Sequence, residues 1–290
     1  MNTKLQSYII GVLWFLLSLI SSNLNDVISK YVGNNLHSGQ VAFLRFFFST
    51  VTLIPFILHS GLEAARTSHV CIHIIRGVLL FFGIGLWIYG VNLVPLTTAT
   101  VVSFSVPLFT LILAKFFLTE KVIWQRWVAT IVGLVGVVIT LNPNSNDFSF
   151  NAAIFVVASI AFASLDIINK IFVIKESMLS MLLYSDIVTT ILSLPIALYF
   201  WKEPSTQQVV LLFVLGFSAN AILFFLLKAF SMTDATALAP YRYFELIVSS
   251  AFSFCIWHEL PSLSTFYGSL IIIPSTLFVI LSEKKRYEQN

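Results

Sequence analysis

The sequence predicts an all-α polytopic membrane protein of about ten transmembrane helices, arranged as two inverted five-helix repeats. Three observations predict it. Of 290 residues, 58% are hydrophobic and 10% are charged, against roughly 25% charged in soluble domains, so the chain cannot cover its own surface with polar groups. Apolar runs of about 20 residues, the length that crosses the hydrocarbon layer as a helix, recur from end to end. The second half also echoes the first at a shift of about 140 residues. Continuous runs, rather than alternating strands of about ten residues, exclude a β-barrel.

The elements follow in order. The first span, 8–29, comes after Lys4 and is too long for a secretory signal; it lacks a small-x-small cleavage site and is expected to be retained. The second, 39–58, contains Arg45 and Pro55, and the third covers 73–92. The fourth, 97–117, holds Pro107 and is followed by Glu120; the fifth covers 125–142. The sixth, 150–173, and the ninth, 236–257, are the least hydrophobic because they carry Asp166 and Arg242. The seventh, 179–200, contains Pro195, the eighth covers 207–229, and the tenth, 263–282, contains Pro274. Pro240 in the ninth span frees carbonyls and predicts a broken helix there.

Arg66, Lys121, Arg126, Lys175 and Lys228 fall in or beside the even-numbered loops, and Lys284-Lys285-Arg286 ends the chain. The odd-numbered loops offer little beyond Lys202. Both termini are therefore expected in the cytoplasm, in agreement with an even number of spans. The net charge of +3 gathers on that side and does not indicate nucleic acid.

Residues 1–145 and 146–290 are expected to be the two repeats. Asp26-Val-Ile-Ser-Lys30 matches Asp166-Ile-Ile-Asn-Lys170, while Thr97 aligns with Thr236, Val106 with Glu245 and Glu120 with Glu259. Five spans per half is an odd number, so the second half is inverted relative to the first, as in secondary transporters. Inversion puts Asp26 near the outer end of its helix and Asp166 near the inner end of its own. Asp26 with Lys30 and Asp166 with Lys170 are accordingly candidate outer and inner gates. The alternative is an i,i+4 ion pair within each helix, with the lysines snorkelling to the interface.

Glu245 is the deepest acid, with Tyr241, Arg242 and Tyr243 beside it and Ser249 and Ser253 continuing its face. A carboxylate, a guanidinium and phenol rings together suit a zwitterionic or cationic solute, and Arg45 offers a further anion partner. The alternative is a structural Arg242–Glu245 pair at i,i+3. Enzymatic signatures are missing: the chain has no HExxH, G-x-S-x-G or P-loop. His69 and His73 are expected to be solvated loop histidines, and Cys71 and Cys255 to be packing residues rather than ligands. No metal or cofactor is expected. Without a nucleotide-binding domain, uphill transport would need exchange or an ion gradient.

The five-plus-five pattern, the acid after each fourth span and the run Pro95-Leu-Thr-Thr-Ala-Thr-Val-Val-Ser-Phe-Ser-Val-Pro-Leu-Phe109 resemble the EamA-type members of the drug/metabolite transporter superfamily. Trp14-Phe-Leu-Leu-Ser18, Asn25-Asp-Val-Ile-Ser-Lys-Tyr31, Leu165-Asp-Ile-Ile-Asn-Lys170, Phe172-Val-Ile-Lys-Glu-Ser-Met178 and Asp234-Ala-Thr-Ala-Leu-Ala-Pro-Tyr-Arg-Tyr243 are similar to the branch of obligate intracellular bacteria that takes up S-adenosylmethionine. The resemblance implies a carrier of the bacterial inner membrane importing S-adenosylmethionine in exchange for S-adenosylhomocysteine. Membrane lipid would be its other partner. A proton-driven exporter of amino acids or organic cations with the same fold stays open, as does an intramembrane enzyme. A homodimer also stays open, because lipid-facing and dimer-facing residues look alike in so apolar a chain.

Overall fold

The computed structural model describes residues 3–33, 36–90, 93, 96–142, 150–258, 260 and 263–289. Its helices are α1 (Thr3–Gly33), α2 (Ser38–Ser60), α3 (Val70–Gly90), α4 (Leu96–Ser103), α5 (Val106–Phe117), α6 (Trp124–Leu141), α7 (Ala153–Phe172), α8 (Met178–Tyr199), α9 (Thr206–Met232), α10 (Ala235–Leu238), α11 (Phe244–Trp257) and α12 (Leu263–Gln289). Among the described residues, nine helical stretches are long and apolar enough to cross a membrane. The tenth crossing, the ninth in chain order, is interrupted: α10 passes through a 3-10 segment, Ala239–Tyr243, into α11. Pro240 lies in the first turn of that segment, as its missing N–H requires. The fourth crossing, expected as one span over 97–117, is interrupted too, between α4 and α5 at Phe104 and Ser105.

These two breaks occupy equivalent places in the halves, and so do the packing partners. Exchange of the first five crossings with the last five turns the α1–α9 contact into α7–α3, α2–α9 into α8–α3, and α5–α7 into α11–α1. The contacts α2–α8 and α6–α12 join equivalent helices and map onto themselves. Almost every principal contact therefore crosses between halves. Neither half buries its polar face alone.

The distribution of side chains is that of a lipid-embedded bundle. Leu13, Leu17, Phe82, Ile131, Val135 and Leu198 are exposed, whereas Asn25, Ser49, Asp166, Asn169, Asp186 and Asn220 are buried. The buried polar groups bond across seams: Asn25 donates through Nδ2 to the Leu215 carbonyl at 3.0 Å and Ser218 Oγ at 2.7 Å, and Ser18 Oγ donates to the Ile222 carbonyl at 3.0 Å. Hydrocarbon supplies no alternative partner, so such bonds hold helices in register.

Gly77 and Gly216, again at equivalent places, allow the close α3–α8 and α9–α2 approaches. A Cβ on Gly216 would stand 2.5 Å from the Ser49 amide nitrogen and 2.8 Å from the Arg45 carbonyl oxygen, both backbone atoms that cannot swing aside. Gly216→Val is expected to destabilise the protein by about 3 kcal/mol or more, the top of the overpacking range, read as a lowered unfolding midpoint in detergent. Gly85 has open space at its Cβ position. Gly85→Ala should leave that midpoint unchanged or raise it slightly.

Candidate solute-binding site

Helices α1, α2, α3, α7, α8, α9 and the ninth crossing enclose a cavity of about 260 Å³. Its wall carries three cations, Arg45, Arg76 and Arg242, and three acids, Asp166, Asp186 and Glu245. Phe15, Phe46, Phe162 and several leucines fill the intervals. Six ionisable groups inside an apolar bundle are retained only where they meet partners or solute.

The cross-helix partners differ from those that local spacing suggests. Arg242 Nη2 reaches Asp166 Oδ2 on α7 at 2.7 Å, and does not close the i,i+3 pair with Glu245. The 3-10 winding that holds Arg242 gives way to α-helix at Phe244, so the two side chains do not share an ideal helical face. Glu245 instead accepts a hydrogen bond from Ser22 Oγ on α1 at 3.0 Å. Lys170 does not pair with Asp166 either: its Nζ donates to the carbonyls of Phe230 at 2.6 Å and Thr233 at 2.7 Å, where the C-terminus of α9 offers unpaired acceptors.

Asp166 thereby forms part of the cavity wall. Asp26 is exposed and lies outside the wall, and the Lys30 side chain falls outside the described residues. Tyr241 and Tyr243, expected as solute contacts, are buried elsewhere. Tyr241 Oη meets Tyr8 Oη at 2.8 Å, and the Tyr243 ring packs on Gly133 and, at 6.0 Å between centroids, on Phe104. The aromatic surface of the cavity belongs to phenylalanines.

Arg76 and Asp186 join the site although sequence reasoning passed over them. Both stand inside apolar spans, the same signal that singled out Glu245; Arg76 was masked by its nearness to the end of its span, where basic residues are expected anyway. Arg76 is wholly buried and held at three points, by Asn169 Oδ1 on Nε at 2.7 Å and by His73 Nδ1 at 3.0 Å and the Met181 carbonyl at 2.9 Å on Nη1. An arginine only donates, so His73 accepts at Nδ1 and carries its proton on Nε2, toward Thr67 Oγ1 at 3.0 Å. His73 is thus a buried positioning group and not a solvated loop residue. His69 is exposed and bonds Glu176 at 2.6 Å. Cys71 and Cys255 are exposed, so neither is a packing residue.

A second network closes the bundle at the face that carries both termini. Glu120, after α5, accepts from the Ala235 and Thr236 amides at 2.9 and 3.1 Å and from Thr236 Oγ1 at 2.7 Å. Arg126, treated above as a loop charge, is wholly buried at the start of α6. It donates to Glu283 on α12 and to Asp234, each at 2.8 Å, and to Thr236 Oγ1 at 2.5 Å. Glu259, the repeat partner of Glu120, lies outside the described residues.

Comparison with known proteins agrees with this architecture. The EamA-like transporter family matches residues 9–142 and again residues 150–281. The chain is 59% identical to an S-adenosylmethionine uptake transporter of Rickettsia felis over 285 residues, covering 98% of this chain and 97% of that protein. It is 28% identical to a riboflavin transporter of Vibrio cholerae, covering 97% and 96% of the two chains. A protein known from a crystal structure shares the fold with a TM-score of 0.81 at 17% identity, over 97% of this chain and 98% of that one.

Proposed function

The chain belongs to the EamA-like transporter family, and from that premise we propose that it imports S-adenosylmethionine across the bacterial inner membrane in exchange for S-adenosylhomocysteine. The observation that carries this reading is the 59% identity, over nearly the whole chain, to a relative whose name gives S-adenosylmethionine uptake. The cavity suits the solute. S-adenosylmethionine has a sulfonium, an ammonium and a carboxylate on a flat adenine, and the wall offers Glu245 and Asp166 to cations, arginines to the carboxylate and phenylalanine rings to the purine. Its volume of about 260 Å³ falls just below the roughly 300–1,000 Å³ of ordinary ligand pockets.

Transport follows from the inverted repeats, each rocking against the other around the wall shared by α1, α2, α3, α7, α8 and α9. Both termini lie on the cytoplasmic side, and the Glu120–Thr236–Arg126 network, with Lys170 Nζ 4.0 Å from Glu120 Oε1, is the inner closure. At the outer face the Asp26–Lys30 region takes that role. Opening of one closure accompanies tightening of the other. An obligatory exchanger returns only when loaded and needs no coupling ion.

The experiment is uptake of labelled S-adenosylmethionine into proteoliposomes preloaded with S-adenosylhomocysteine or left empty. Uptake only after preloading supports exchange; equal uptake into empty vesicles overturns it. The imported molecule has one net positive charge and the exported one none, so one-for-one exchange is electrogenic. An inside-negative potential of 100 mV is worth about 2.3 kcal/mol per charge, an expected gain of about fiftyfold in accumulation when it is imposed with valinomycin and a potassium gradient. Accumulation indifferent to the potential would exclude this stoichiometry.

A further inference from the structure

The chain has six arginines. Four have a carboxylate within ion-pair distance: Arg66 has Glu63, Arg126 has Asp234 and Glu283, Arg242 has Asp166, and Arg286 has Glu283. Arg45 and Arg76 have none among the described residues, and both line the cavity. Asp186, the acid in electrostatic reach of both, accepts a hydrogen bond from Ser49 Oγ at 2.5 Å, and Asp26 on α1 is in electrostatic reach of Arg45 as well. The wall formed by α2, α3 and α8 therefore has two cations against one acid, while the wall formed by α1, α7 and α11 has Asp166 and Glu245 against Arg242.

Donors left over stand on α2 and α3 and on the adjoining α7. Arg76 Nη2, Arg45 Nε and Asn169 Nδ2 are buried without a hydrogen-bond partner. Asn169 has spent its oxygen on Arg76 Nε, which fixes its amide orientation and leaves Nδ2 as a donor. A buried donor without an acceptor is costly, and the cost is recovered when an acceptor arrives. Arg76 also has no freedom to seek another partner, because Asn169, His73 and the Met181 carbonyl hold it.

We propose that Arg76 and Arg45, with the Asn169 amide, form the seat for the solute's carboxylate, and that Arg242 does not take it. Resting on the amino-acid-like solute proposed above, the assignment orients it: carboxylate to the α2–α3–α8 wall, ammonium and sulfonium to Asp166 and Glu245. Arg242 is already matched by Asp166 and serves to hold that acid. The seat selects solutes by their carboxylate.

The test compares compounds that differ only in that group. Binding of S-adenosylmethionine and of its decarboxylated form to the purified full-length protein is measured by thermal stabilisation for wild type, Arg76→Gln, Arg45→Gln and Arg242→Gln. Wild type should prefer the carboxylated compound about tenfold to a hundredfold, the range expected of charge-assisted hydrogen bonds. Arg76→Gln or Arg45→Gln should bring that ratio close to one while the decarboxylated compound binds as before; Arg242→Gln should keep it. A purely structural Arg76 would lower both affinities together, and an unchanged ratio in both seat variants overturns the proposal. Wild type carries the test even if the Arg76 variant does not fold, because equal binding of the two compounds also overturns the seat. Failure of both S-adenosyl compounds to bind sinks the substrate reading alone: arginine preferred over agmatine would then uphold the seat, and no preference would overturn it.

Discussion

Glu245→Gln is expected to weaken uptake of S-adenosylmethionine sharply at concentrations near the wild-type KM, while the protein stays folded. The amide keeps an oxygen to accept from Ser22 Oγ, now 3.0 Å from Glu245 Oε1, so the α1–α11 contact survives. What disappears is the negative charge. On the α1–α7–α11 wall Asp166 shares its charge with Arg242 at 2.7 Å, so of the two acids that meet the solute's ammonium and sulfonium Glu245 offers the larger uncompensated charge. A hydrogen bond to a charged group contributes about 1.5–3 kcal/mol, so KM should rise by roughly tenfold to a hundredfold. Initial-rate uptake in proteoliposomes at several solute concentrations checks it. Ser22→Ala, which keeps the charge and loses only the orienting bond, should cost far less. Wild-type kinetics in Glu245→Gln would remove this residue from the site.

The largest loss of stability is expected from Arg126→Met. Arg126 is wholly buried, and its guanidinium joins Glu283 on α12, Asp234 and Thr236 before α11, and through its own backbone the start of α6. Glu283 is wholly buried as well. Truncation of the arginine leaves that carboxylate with Arg286 at 3.4 Å, and breaking a buried pair this way costs about 3–5 kcal/mol. The unfolding midpoint in detergent should fall steeply. Arg126→Met combined with Glu283→Met should recover most of the loss, since two apolar side chains replace the pair without stranding a charge. If the double variant is no better than the single one, the cost lies in the Asp234 and Thr236 contacts instead. In transport, either variant loosens the terminal-face closure, which predicts leak of labelled solute from loaded vesicles.

Much of the architecture is legible in the residue order. Lengths of apolar runs place the crossings, and a match at about 140 residues reveals the duplication. Pro240 marks the broken ninth crossing, which the structure realises as a 3-10 segment. The matching break at Phe104 and Ser105 was harder to see, because Pro107 lies beyond it, in the first turn of α5, where proline is compatible with a helix. Intramembrane charge also identified Glu245, Arg242, Asp166 and Arg45 as residues of interest, and all four line the cavity.

Partnership was not legible. Spacing along one helix makes Asp166 face Lys170 and Arg242 approach Glu245, yet Arg242 binds Asp166 and Lys170 binds the end of α9. Tyr241 and Tyr243 stand beside Arg242 in sequence and turn away from it in space, one to Tyr8 and one to Gly133. The order of residues determined by itself that this chain crosses a membrane about ten times, in two related halves, with ionisable groups held inside. The tertiary structure decided which of those groups meet, because a buried charge takes the strongest partner within reach, and reach is set where distant helices touch at Gly77 and Gly216 and where winding changes around Pro240.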